Sequence, residues 1–249
     1  ALPISGTNNV TKSNVGAGIE NTQGKIEYQK QVIPSNDGSG SKVIIEQWTN
    51  LKTLDSRRDV KEVLAGNKVQ KFTSRYVKNG GKDYISIQRD QDGKAISGSD
   101  QPLEKELADA ASEQVSKYWT FDAEKASYNT VDWKVEGIVK DSDGKTLKKL
   151  LSIDVNLYRH VYIDEATGLP VKAEAFKMLN GSLKPDGGTE TFEYKNVDND
   201  GMIFDTSAVT LTKLQDSSEY KLSPSFSVEQ KLKMVLIPEL RVKLQNISK

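Results

Sequence analysis

The sequence predicts an α+β fold, a meandering antiparallel sheet built around one amphipathic helix. Three observations carry this. Apolar residues alternate with polar ones over most of the chain, Asn/Asp-Gly turns punctuate the alternating runs, and one long segment has clear helical spacing with start signals. At 249 residues the chain is long for one domain, yet a single all-β-type sheet reaches that size. The expected organisation is a flexible tether over residues 1–23 and one domain over 24–249, with a C-terminal extension from about residue 211.

The opening ALPISGTNNVTKSNVGAGIENTQG is rich in Ser, Thr, Asn and Gly. It reads as a tether, either the trimmed start of an exported chain or a plain frayed terminus. Ile26, Tyr28 and Val32 then alternate with Lys25, Glu27 and Gln29, the pattern of a strand with one buried face. SNDGSGS makes a turn, KVIIEQW a second strand ending at Trp48, and TNLKTLDSRRDVKEV a further strand with scattered anchors at Leu51, Leu54, Val60 and Val63. VQKFTSRYV and DYISIQRD flank Asn79, Gly80 and Gly81, which tolerate the positive φ of a hairpin turn.

SDQPLEKELADAASEQVSKYW is the best helix, with Ser99 or Asp100 as cap, Pro102 in the first turn and acidic residues near the positive end of the dipole. Leu103, Leu107, Ala110, Ala111, Gln114 and Tyr118 form the stripe expected to lie on the sheet. Strands follow: Val131, Trp133, Val135 and Val139; after the Asp143-Gly144 turn, Leu147, Leu151, Ile153, Val155 and Leu157; then Val161 and Ile163, the turn DEATG, and Val171, Ala173 and Ala175. Phe192 and Tyr194 point one way on another strand. FSVEQKLKMVLIP fits a short capped helix or a strand, and ELRVKLQNI alternates like a strand; both readings bury Val235, Leu236 and Leu240.

Chemistry is sparse. Lys plus Arg and Asp plus Glu are 35 each, so no overall field draws nucleic acid or an anionic membrane. No cysteine is present, which removes thiolate catalysis, disulfides and cysteine-based zinc sites. No run of roughly 18 apolar residues marks a transmembrane segment. DQDG at Asp90, DSDG at Asp141 and DNDG at Asp198 resemble calcium loops, but where an EF-hand places its bidentate glutamate the chain has Ser99, Leu150 and Ser207. Turn chemistry is the better reading. His160, the only histidine, sits in a strand-like run with no Gly-x-Ser-x-Gly elbow and no second histidine for a metal site. The expectation is a non-enzymatic protein with no catalytic residue, metal or cofactor. Aromatic residues on the strands pack the core or, as a set, line an apolar groove between helix and sheet; Trp48, Tyr84, Trp133 and Phe192 are the candidate lining.

Four pieces, IIEQWTNLKTLDSRRDVKEV, RYVKNGGKDYISI, VYIDEATGLPVKAEAF and FEYKNVDNDGMIFD, span most of residues 24–210, and the hairpin around Thr167, Gly168, Leu169 and Pro170 is the most specific of them. Together they resemble the superfamily of outer-membrane lipoprotein carriers (LolA-like), periplasmic anti-sigma regulators and envelope lipoproteins of Gram-positive and sporulating bacteria. The resemblance implies a strongly curved antiparallel half-barrel, helices on its concave side and a cavity suited to acyl chains. It further implies an extracytoplasmic protein, secreted or membrane-anchored through a removed N-terminal segment, that binds or senses a lipid, lipoprotein or other apolar ligand. The alternative is a regulatory or assembly protein with a filled interior that meets an envelope protein partner. A hydrolase using His160 is a third reading.

Overall fold

The computed structural model describes residues 25–237. The tether, Leu240 and the ELRVKLQNI strand lie outside the described residues.

The chain forms two meanders separated by helices. The first comprises β1 (Ile26–Pro34), β2 (Lys42–Asn50), β3 (Ser56–Val63), β4 (Val69–Lys78), β5 (Asp83–Arg89) and β6 (Ala95–Pro102). Then come α1 (Lys105–Tyr118) and α2 (Phe121–Ser127). The second meander is β7 (Lys134–Lys140), β8 (Thr146–Asp154), β9 (Leu157–Asp164), β10 (Pro170–Leu179), β11 (Ser182–Pro185) and β12 (Glu190–Val197), followed by β13 (Leu211–Lys213) and α3 (Val228–Leu236). Pairing of β1 with β12 joins the halves into one open 13-stranded sheet of order β13-β6-β5-β4-β3-β2-β1-β12-β10-β9-β8-β7, with β11 hairpinned onto β10. All pairs are antiparallel except β13 with β6.

The turns follow local chemistry. Asn79, Gly80 and Gly81 all have positive φ. The carboxylates of Asp90 and Asp141 accept backbone N–H groups, Asp90 from Asp92 and Lys94 at 3.0 and 2.8 Å, Asp141 from Asp143 and Lys145 at 2.9 and 2.8 Å. In the third Asp-x-Asp-Gly loop, Asn199 and Asp200 do the same for Gly201 and Met202. These side chains are spent on shaping turns.

Cross-strand register assigns the faces. One face carries Gln47, Thr49, Ser56, Arg58, Arg75, Val77 and Tyr84 from the first meander, continuing through Tyr194 and Phe192 to Ala173 and Val161. The helices lie here. Val77 packs with Leu103, Leu107, Ala108, Ala111 and Val115 of the α1 region and with Leu232 and Val235 of α3. Gln47 Nε2 and Thr49 Oγ1 both donate to the Trp119 carbonyl, at 3.2 and 2.7 Å, fixing the end of α1 over β2. Farther along, Leu150, Val161, Ile163 and Ala173 pack with Tyr128, Trp133 and Phe192. The opposite face carries Tyr76, Ile85 and Ile87, covered by Val209 and Leu211 as the chain approaches β13.

Three expectations are corrected. Ser99, Asp100 and Pro102 do not start α1: they belong to β6, paired with Ser86, Ile85 and Asp83, and β13 fills the next ladder. The helix begins at Lys105 with Glu104 as N-cap, whose side chain makes no cap bond; the Glu104 N–H instead donates to Ser217 Oγ at 2.7 Å. The buried stripe is Leu107, Ala108, Ala111 and Val115, so Ala110, Gln114 and Tyr118 turn toward the outer groove between α1 and α3. Val131 and Val135 are not core residues either. β7 is an edge strand, and a register shift between Val135 and Gly137 breaks its alternation, leaving Val135, Ile138 and Val139 exposed. Of the two readings of FSVEQKLKMVLIP, the capped helix is the one that forms: α3 spans Val228–Leu236, and Ser227 and Gln230 make a reciprocal capping box.

Candidate functional site

The main irregularity of the sheet lies between β10 and β12. β12 pairs with β1 from Thr191 to Val197, but with β10 only at Thr191–Lys172 and Glu190–Ala173. Beyond Thr191 the two strands part. Pro170 has no N–H to offer a ladder, and a register shift between Pro170 and Lys172 bends β10 in company with β9. The gap is a cleft of about 540 Å³ roofed by α2. Phe121, Leu169, Pro170, Val171, Phe192 and Tyr194 give it an apolar lining, and Lys125, Lys145 and Lys195 stand around it with Asp164 and Glu193.

The position of α2 follows from its first turn. Thr120 Oγ1 accepts the Ala123 N–H at 3.2 Å, and the Glu27 carboxylate, reaching from β1, accepts the Phe121 N–H at 2.7 Å. A carboxylate at a helix N-terminus is favoured by the exposed amides there. Phe121 meets Tyr194 edge-on at 5.4 Å between ring centres. Glu124 Oε1 accepts hydrogen bonds from Tyr128 at 3.1 Å and Tyr194 at 3.5 Å.

Burial pushes the Glu124 carboxyl above its ordinary value, against the lowering effect of the two tyrosine hydroxyls. Burial likewise pushes up Glu27, against the Phe121 N–H, and raises the Tyr194 and Tyr128 phenols. For a carboxyl raised in the folded state, the unfolded chain gives up its proton first as pH rises. Stability from these groups is therefore fullest below the ordinary glutamate value and declines as pH climbs through the raised one. Glu124→Gln keeps an oxygen acceptor and removes the buried charge. It should raise the thermal midpoint at pH 7, leave it unchanged near pH 4 and flatten the decline between; equal shifts at both pH values would contradict the assignment.

The four residues expected to line one groove occupy three places. Phe192 lies in the cleft, and Trp133 packs behind it on Tyr128 at 5.2 Å. Tyr84 sits on the helix-bearing face beside Val77, at a second trough near the end of α3. Trp48 is on the opposite face, 5.2 Å from the Tyr28 ring with the Arg57 guanidinium 4.9 Å above it. Register explains the split: Gln47 and Thr49, not Trp48, face the helices. His160 Nε2 lies 3.2 Å from Glu136 and its ring 5.4 Å from Phe176, an arrangement across strands. Burial and the nearby Lys149 lower its pKa against the pull of Glu136 and Glu174. Sequence reasoning missed Glu27, Glu124 and Tyr194 as the groups that seat α2, because a seven-residue helix is too short to show a period.

The molecule is thus an open, helix-backed antiparallel sheet with a cleft inside the sheet itself. No family model and no curated protein matches the chain. Among solved structures, an uncharacterised conserved protein from Thermus thermophilus is 13% identical over 76% of this chain and 90% of that one, with a TM-score of 0.37. MucB in complex with MucA(peri) is 13% identical over 76% of this chain and 57% of its own length, at 0.35. A LolA superfamily protein from Nitrosomonas europaea is 14% identical over 76% and 93%, at 0.25. Overlaps this low carry no functional weight, and the functional reading rests on the chain's own residues.

Proposed function

We propose that the chain is a non-enzymatic binding protein of the cell envelope that holds an apolar ligand, such as the acyl chain of a lipid or lipoprotein, in the cleft between α2 and the parted strands β10 and β12. The cleft carries the reading. Its volume of about 540 Å³ falls within the roughly 300–1,000 Å³ of small-ligand sites, its lining is aromatic and aliphatic, and its lysines suit an anionic head group. The driving term is apolar area removed from water, ~25 cal/mol per Å² before ordering costs.

Native mass spectrometry of protein purified from bacteria, with extraction of bound lipid, tests this directly. Phe192→Asp should weaken binding of a fluorescent fatty acid by roughly ten- to a hundredfold, the equivalent of one buried aromatic side chain. Absence of lipid from the purified protein, together with no saturable probe binding, would sink the proposal. The envelope location rests on the sequence resemblance, and a signal peptide encoded upstream of Ala1, with or without a lipid-anchor cysteine, tests it. No described helix is long and apolar enough to cross a membrane.

One observation favours the second reading, a regulatory or assembly protein acting on an envelope protein partner. The layer beneath α1 and α3 is filled: Leu107, Val115 and Val235 are fully buried there. Recovery of one defined partner whose binding is unaffected by Phe192→Asp would move the function away from the cleft.

A further inference from the structure

Five arginines lie in the described part of the chain, and three are satisfied. Arg57 forks onto Asp59, Arg159 pairs with Glu190, and Arg89 donates to Ser74, Tyr76 and the Gly93 carbonyl. The other two, Arg58 on β3 and Arg75 on β4, are directly opposite each other on the helix-bearing face. Neither has a hydrogen-bond or carboxylate partner among the described residues. Like charges facing each other across a ladder repel, and Arg58 is half-buried, so burial and the Arg75 charge both hold its guanidinium below its ordinary pKa. Arg75 lines a trough of about 440 Å³, with Arg58 one strand beyond its wall; among the described residues the lining also includes Tyr84, Ser86, Gln88, Ser99 and Thr212 and no acidic side chain. Strands β1 and β2 separate it from the α2 cleft.

We infer that this trough is a binding site for a phosphorylated sugar or polyol, with the phosphate on the Arg58–Arg75 pair and the hydroxyl groups on the serine, threonine and glutamine side chains. The physical demand is specific. An oxyanion between two guanidiniums replaces a repulsion by charge-assisted hydrogen bonds, and the remaining volume exceeds what phosphate alone fills and presents hydroxyl and amide partners.

Isothermal titration calorimetry of the full chain at low salt, with glycerol 3-phosphate, inorganic phosphate and glycerol as separate probes, tests the site. Glycerol 3-phosphate should bind saturably and more tightly than inorganic phosphate, with glycerol alone silent. Arg58→Gln and Arg75→Gln should each weaken binding about tenfold. Arg75→Gln should also raise the melting midpoint without ligand, since it removes the facing charge; this readout shows that the variant folds. Equal binding of the two phosphates would overturn the polyol assignment. Failure of either to saturate, or unchanged affinity in both variants, would overturn the site.

Discussion

Gly81→Ala is expected to lower the thermal midpoint by on the order of 10 °C, from a loss of about 3–5 kcal/mol. Two costs combine. Gly81 has φ +81°, a conformation that disfavours any Cβ by roughly 1–2 kcal/mol. The added Cβ would also sit inside the contact radius of the Ala108 carbonyl oxygen and 2.8 Å from both its carbon and Ser112 Oγ. The β4–β5 hairpin tip and the α1 backbone are thus in direct contact, and neither can retreat without opening the layer around Leu107 and Ala111. Gly80→Ala is the control: its φ is +65° with nothing within 4 Å of the new Cβ, so it should cost only the conformational part. Thermal denaturation of the two variants side by side decides the matter. Similar losses at both positions would show that the close approach to α1 is unimportant.

Asp59→Ala should cost about 3–5 kcal/mol, the penalty for stranding a buried ion-pair partner. The Asp59 side chain is only 3% exposed, and Arg57 reaches it through Nε at 2.9 Å and Nη2 at 2.7 Å. Arg57 also donates to the Ile203 carbonyl at 3.3 Å and lies over Trp48 and Tyr76 at 4.9 and 5.7 Å. It therefore pins the 198–210 connection onto the sheet. The double variant Arg57→Met/Asp59→Leu, which removes both charges together, should lose much less. Urea unfolding of wild type, single and double variants measures this, and a single-variant loss under about 1 kcal/mol would mean that the pair is effectively solvated.

Most strands and several turns were legible because their signals are local, but the run from Leu147 to Leu157, read as continuous, reverses at Val155, which has φ 49° and separates β8 from β9. Period-two alternation marked β1, β9 and β10, and Asn79-Gly80-Gly81, Asp143-Gly144 and the Asp164–Gly168 turn lie where the chain reverses. What failed to show depends on partners distant in sequence. Ser99, Asp100 and Pro102 carry good helix-start chemistry, yet pairing with β5 and β13 outweighs it. Trp48 belongs to an alternating strand, but which parity faces the helices is settled by Gln47 and Thr49 reaching Trp119. The exposure of β7 comes from its place at the end of the strand order. The cleft was half visible: the hairpin with Leu169 and Pro170 stood out as a motif and Phe192 as a lining candidate. Its opening arises from the two-residue contact between β10 and β12, which no window of sequence contains. The facing arginines escaped notice for the same reason, since each is an ordinary polar position in its own strand.

The seam that joins β1 to β12 also sets the order in which the molecule is made. Ile26 meets Val197 across roughly 170 intervening positions, whereas β1 to β6 are sequential hairpin neighbours. A nascent chain can therefore close its first meander early but must carry an unsatisfied β1 edge until the ribosome has released residue 197. That delay makes closure of the seam the expected slow step of folding, and the open β1 edge the place where a half-made chain is most exposed to a neighbour or a chaperone.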